Sequence, residues 1–240
     1  MKPFSFAKIP EYFINVIPYL SVTLEYVLLA FLLGLIFGSL LAWAKLGHNV
    51  VLKKIAYIYT TIMRCVPSVV LLFVVYYGLP RLVKDITGTQ MDTTGKIKFV
   101  VITLAMFCTS SMSEAFRSAY QTIDKTQFEA AKSIGMTDIQ SFIHIILPQM
   151  LYISIPNLCN SILALLKEGA LAYTIGLYDL LGRGQYIIGK NMGSYVIEVY
   201  VTLIIIYWPI ALLITWGSKA MEKHLNYNEK TVKVRRRLHA

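Results

Sequence analysis

Charged residues are scarce in this 240-residue sequence: Asp, Glu, Lys and Arg make up 15% of it, where soluble domains carry about 25%. Cysteine is nearly absent as well. Cys65, Cys108 and Cys159 stand far apart in apolar runs, with no CxxC or Cys/His spacing. That excludes a disulfide framework or a zinc site and leaves them as small packing residues. The four histidines, His48, His144, His224 and His239, are dispersed. None joins a Cys or acidic cluster with metal spacing, which disfavours a membrane metalloenzyme. No GxxxxGK[ST] phosphate loop is present, so this chain is not expected to hydrolyse ATP itself. No internal repeat is visible, which argues against the common plans of secondary transporters; a self-contained transporter or channel stays the alternative reading. Prolines at 3, 10 and 18 interrupt the first nineteen residues, so no secretory signal peptide is expected there.

What the chain has is apolar surface. Hydrophobic residues reach 56% and mean hydropathy is +0.59, values that suit one integral membrane domain. About 20 helical residues cross a hydrocarbon core. Five stretches approach or exceed that length: Tyr19–Trp43, Ala56–Leu79, Ile97–Ser113, Met150–Leu166 and Val196–Trp216. The implied fold class is an all-α integral membrane protein with about five transmembrane helices. Its domains read as an N-terminal segment 1–18, a membrane domain 19–216 with a loop at 118–147, and a basic tail 217–240. Pro156 predicts a kink in the fourth span. Gly34 and Gly38 form a small-xxx-small pair, either a close helix contact or ordinary glycine usage. The apolar Gly169–Leu177 is too short to cross and reads as a re-entrant piece or an external loop.

The net charge is +10. No aromatic–basic platform accompanies it, so nucleic acid is not an expected partner. Much of the excess lies in Lys230–Arg237, beside the last span. A basic run there reads as an inside-retention signal attracted to lipid headgroups. With the N-terminus outside, thirteen Lys and Arg face inward and nine outward, so the orientation reads N-out, C-in.

One stretch departs from the hydrophobic pattern: residues 128–149, FEAAKSIGMTDIQSFIHIILPQ. Asp124 is a suitable N-cap, with Gln127 three residues on as in a capping box. A helix Lys125–Ile134 follows, ended by Gly135 as the left-handed residue. Thr137 and Gln140 restart the pattern. Ile139, Phe142, Ile143 and Ile146 then give a second helix one apolar face, and Pro148 interrupts before the next span. The orientation places this helix pair in the cytoplasm. Small Ala130 and Ala131 would let a groove close tightly on the turn, and Glu129 would orient the contact.

The stretch resembles the EAA motif of bacterial ABC importer permeases: Glu129-Ala130-Ala131, Gly135, then Ile145, Leu147 and Pro148. Its surroundings resemble the polar amino acid permease branch, through Glu114-Ala-Phe-Arg117, Leu147-Pro148-Gln149, Arg64-Cys65-Val66-Pro67 and Leu166-Lys167-Glu168. The likeness runs from about Thr23 to Trp216. Thr126, Cys65-Val66 and Gly169-Ala170 depart from the family's usual residues. The resemblance implies a permease of an ATP-driven amino acid importer in a bacterial cell membrane. It further implies that Glu129, Ala130, Ala131 and Gly135 form a coupling helix seated on a separate ATPase pair. That pair would bind ATP and Mg; this chain would hold no cofactor. The other implied partners are a second permease copy or homologue and an extracytoplasmic solute-binding protein, with membrane lipids around the spans.

Ionisable residues at membrane depth are costly and informative. Arg64 either snorkels or pairs structurally, or it lines the path and attracts a substrate carboxylate. Glu25 in the first span forms a polar pair or an exposed helix end, or meets a substrate amine. Glu114 and Arg117 share a helix face and are expected to pair. Asn160 bonds a neighbouring helix or substrate. Lys167 and Glu168 anchor a helix end or contribute to a substrate cavity. A zwitterion needs both signs of charge close together, and these positions offer both.

Overall fold

The computed structural model describes residues 4–225, so the basic run Lys230–Arg237 lies outside the described residues. Among them the regular structure is helical. The helices are α1 (Lys8–Val16), α2 (Leu20–Leu46), α3 (Val50–Cys65), α4 (Ser68–Phe73), α5 (Leu79–Thr87) and α6 (Lys96–Thr122). Then come α7 (Lys125–Ser133), α8 (Asp138–Ser141), α9 (Leu147–Gly169), α10 (Leu180–Lys190) and α11 (Val196–Leu225). Four continuous helical stretches are long and apolar enough to cross a membrane: Lys8–Leu46, Lys96–Thr122, Asp138–Ile175 and Val196–Lys223.

The expected span Ala56–Leu79 is not one straight helix. It breaks between Cys65 and Ser68, and the helix axis bends there by 108°. The cause is local. Proline disfavours the helical region for the residue before it, and Val66 sits extended at φ −85°, ψ 127°. Pro148 and Pro80 have a different effect. Each follows a five-residue π turn, Phe142–Ile146 and Val74–Gly78, and the helix continues beyond it. The wider turn makes room for the ring and the missing N–H. Pro148 therefore does not interrupt the pattern as its sequence position suggests. The chain also runs through Pro156 as one helix.

The core is built on α2, α6 and α9, where Tyr26, Ala30, Leu104, Met112 and Leu165 are buried together. The Gly34/Gly38 pair serves the contact of α2 with α6. A Cβ at Gly34 would lie 2.5 Å from Cys108 Cβ, and one at Gly38 would lie 2.5 Å from Met112 Cβ. Gly169 presses against the Tyr26 ring in the same way. Cys108 is buried as a packing residue, whereas Cys65 is exposed at the helix break.

The segment Gly169–Leu177 is not a free loop. It extends α9 as a 3₁₀ turn, Ala170–Ile175, that buries Ala172 and Ile175 in the core. Asp179 then caps α10, a helix too short and glycine-rich to stand out in the hydropathy pattern. Its Oδ1 accepts from Gly182 N at 2.8 Å and its Oδ2 from the Tyr26 hydroxyl at 2.9 Å. Burial pushes the Asp179 carboxyl up to about 6, against the pull of those hydrogen bonds. A smaller apolar cluster fastens α1 to α10 and α11 through Tyr12, Val16, Leu180 and Val199. The N-terminal segment is thereby packed against the bundle, and Ser5 N donates to the buried Glu198 at 2.8 Å.

Two glycines of the same type separate packing from propensity. Gly38→Ala forces a methyl onto Met112 and Thr109, and should cost about 1–3 kcal/mol of stability. Gly217→Ala meets nothing within 4 Å, and should stabilise its helix by up to about 1 kcal/mol. Thermal unfolding of the purified protein in detergent should shift in opposite directions for the two variants.

Candidate functional site

A cavity of about 880 Å³ lies between the α3–α4 break, α6 and α9. The elements contribute by helical stripe. From α9 come Asn157, Asn160, Ser161, Ala164 and Glu168, spaced i, i+3, i+4, i+7 and i+11 on one face. From α6 come Ser110, Ser111, Glu114 and Ser118. Arg64, in the last turn of α3, enters from the third side together with Val66 and Pro67. Ser111 and Ser161 hydroxyls meet at 3.0 Å and join α6 to α9. From that crossing, Glu168 lies seven residues on along α9, about 10 Å. Glu114 lies three residues from Ser111 toward the other end, where α6 runs into α7.

The structure thus brings together Arg64, Asn160 and Glu168. The side chains of these three make no hydrogen bond or ion pair within the described residues. Within the described residues Arg64 therefore has no structural partner, and its exposed side chain lines the cavity. Two other candidates do not line the cavity. Glu25 is exposed on the outer face of α2, opposite the inward residues Thr23, Tyr26, Val27 and Ala30. Lys167 is exposed just outside the α9 stripe.

Glu114 behaves differently from the other cavity charges. Arg117 donates to its Oε2 through Nε at 3.0 Å and Nη2 at 2.7 Å, which is the pair expected from their spacing. Its other oxygen, Oε1, accepts from Lys45 Nζ at 2.6 Å. The Lys45 side chain is 0% exposed and also donates to Ser113 at 2.9 Å. Arg117 also donates to Gln121, in the last turn of α6, at 2.7 Å. Sequence reading missed Lys45 because the apolar run stops at Trp43. The available signal was helical: Lys45 continues the inward face of α2 through Gly34, Gly38 and Ala42.

At the end of α6 the chain folds into a capped hairpin. Asp124 Oδ1 accepts from Thr126 N at 3.0 Å, while Gln127 Oε1 accepts from Gln149 Nε2 at 2.6 Å and so ties α7 to α9. The turn after α7 closes with two bonds, Gly135 N to Lys132 O at 2.9 Å and Met136 N to Ala131 O at 3.1 Å. That pattern requires a left-handed residue, and Gly135 has φ +85°. Thr137 and Gln140 form the reciprocal capping box of α8, and Lys132 pairs with Asp138 across the turn at 2.9 Å.

The hairpin exposes Glu129, Ala130 and Gly135, but Ala131 is only 2% exposed. Ala131 faces inward because the chain returns over it. Its smallness serves the hairpin itself, not an outside groove. The apolar face read for the second helix is split: Ile146 is buried, while Ile139, Phe142 and Ile143 are exposed, as is Ile134. Those four apolar side chains point away from the rest of the chain's core.

Residues 13–227 match the family described as binding-protein-dependent transport system inner membrane component. The chain is 33% identical over 231 residues to the L-cystine transport system permease protein TcyL of Bacillus subtilis (strain 168), covering 96% of this chain and 95% of that protein. It is 32% identical over 210 residues to the arginine transport system permease protein ArtQ of the same organism, covering 88% and 92%. A crystal structure of an amino acid ABC transporter with histidines superposes with a TM-score of 0.80 at 26% identity, over 93% of this chain and 100% of that one. The MetNI methionine ABC transporter, at 18% identity and a TM-score of 0.66, shares the fold. With its helical bundle, polar cavity and capped hairpin, this chain belongs to the family of binding-protein-dependent transport system inner membrane components.

Proposed function

We propose that this chain is the multi-pass permease subunit of an ATP-driven amino acid importer in a bacterial cell membrane. Its N-terminus lies outside, its hairpin inside, and a separate ATPase pair binds ATP and Mg. A second permease copy or homologue completes the path, and an extracytoplasmic binding protein delivers the substrate. The observation that carries this reading is the pairing of two features on the same helices. The cavity between α6 and α9 holds a cation, Arg64, and an anion, Glu168, whose side chains have no ion-pair partner among the described residues. The hairpin between α6 and α9 offers exposed apolar side chains to a partner. A free charge of each sign is what a zwitterion requires. The amino acid permeases among the relatives support that substrate class.

Docking would use the exposed residues Glu129, Ala130 and Gly135, with Ile134 and Ile139 beside them. Ala130→Trp leaves the hairpin's internal contacts in place and obstructs its outer face. It should insert normally yet lose co-purification with the ATPase subunit. Gly135→Val should do the same by straining the left-handed turn. Ala131→Glu should instead unfold the hairpin, because it buries a carboxylate. Parental transport by the Ala130→Trp variant would remove the docking assignment.

Arg64→Met and Glu168→Gln each delete one half of the zwitterion site. Each should weaken amino acid binding to the purified permease–ATPase complex by about tenfold to a hundredfold, the loss of one charge-assisted contact. Isothermal titration reads this directly. An unchanged affinity for Arg64→Met would return that residue to a structural role.

A further inference from the structure

The end of the cavity remote from the hairpin is held by a contact that does not line it. Glu168 is exposed in the cavity, and its side chain makes no hydrogen bond or ion pair among the described residues. The backbone at the end of α9 therefore sets where its carboxylate stands. Successive residues of a helix point about 100° apart, so Glu168 faces the cavity while Gly169 faces α2. A Cβ on Gly169 would overlap the Tyr26 ring, and the end of α9 thus rests directly on that ring. Toward α4 and α6 the same junction leaves a gap of only about 10 Å³, hardly the space of one water.

The Tyr26 ring is itself pinned. Its hydroxyl donates to Asp179 Oδ2 at 2.9 Å. Asp179 Oδ1 accepts from Gly182 N at 2.8 Å, in a turn so tight that a Cβ on Gly182 would overlap the Leu177 carbonyl oxygen. One turn earlier on α2, Thr23 Oγ1 accepts from Leu180 N at 3.3 Å. The start of α10 is thus bonded to two successive turns of α2. No Lys or Arg pairs with Asp179 among the described residues. Hydroxyl and N–H donors offset the cost of burying it, so the Tyr26 hydroxyl carries a large share. Thr23, Tyr26 and Asp179 are 0% exposed within a single copy, and a second copy docked on the surface leaves their contacts as they are.

We propose that Tyr26 and Asp179 are positioning residues for amino acid transport: their hydrogen bond fixes the end of α9 through Gly169, and so fixes where Glu168 meets the substrate. The inference rests on the cavity being the substrate site.

Two variants break the bond and keep the packing. Tyr26→Phe leaves the ring on Gly169. Asp179→Asn keeps a good N-cap for α10, but with its oxygen on Gly182 N it turns an amide donor toward the Tyr26 hydroxyl. The probes are the twenty common amino acids, titrated singly by calorimetry into the purified permease–ATPase complex, and the tightest binder is carried through the variants. Each variant should weaken its binding by about three- to tenfold. In a Glu168→Ala background neither should weaken it further, because the group they position is gone. A pair that merely holds the fold would lower affinity by the same factor in both backgrounds.

Should Tyr26→Phe fail to insert, Asp179→Asn decides alone. Parental affinity in the variants overturns the positioning role, and so does an equal loss in both backgrounds; in either case a loss of binding on Glu168→Ala keeps the cavity as the site. If Glu168→Ala leaves the affinity unchanged, or no amino acid binds the parental complex, the site assignment itself fails, and the positioning role with it.

Discussion

The structure depends on how closely α2 approaches α6. Two glycines one helical turn apart remove the side chains that would hold the helices off, and Cys108 and Met112 fill the space. Without water to drive apolar groups together, such close packing is a main source of attraction between helices in a membrane. The contact also sets a register. With Gly38 against Met112 and Ser113, the inward face of α2 carries Lys45 to Ser113 and Glu114. Packing of small residues along α2 thus positions a charge cluster near the cavity.

That cluster is satisfied with few groups. A fully buried ammonium is very costly unless paired and hydrogen-bonded. Lys45 has a carboxylate and a hydroxyl as partners, with the Tyr57 ring 5.4 Å away. Arg117 holds the same carboxylate from the other side, on the same helix and one turn later. The result is a rigid, charged end wall for the cavity, continuous through Gln121 with the last turn of α6. The hairpin begins two residues after that helix ends.

Much of this was legible in the residues, where the signals are local. Asp124, Gly135, Thr137 and Gln140 encode the hairpin through caps and a left-handed turn, and the structure reproduces them almost residue by residue. Hydropathy located the spans but blurred their shape. It joined Ala56 to Leu79 although Val66 before Pro67 carries the signal for a break. It treated Pro148 as an interruption because a π turn has no sequence signature comparable to a cap. The cavity was half legible: Arg64, Asn160 and Glu168 stand out as polar residues in apolar runs, while Lys45 does not. Which face Glu25 and Lys167 present depends on tertiary packing, and neither reaches the cavity.

The π turn at Phe142–Ile146 links hairpin and cavity geometrically. A π turn holds about one residue more than an α turn, and each residue of an α-helix advances about 100° around its axis. The extra residue therefore sets the direction in which the hairpin points relative to the stripe of Asn157, Asn160 and Glu168. A chain shortened by one residue here could keep every contact within each part and still aim the two parts differently. The angle between what the cavity holds and what the hairpin touches is recorded in the width of a single turn.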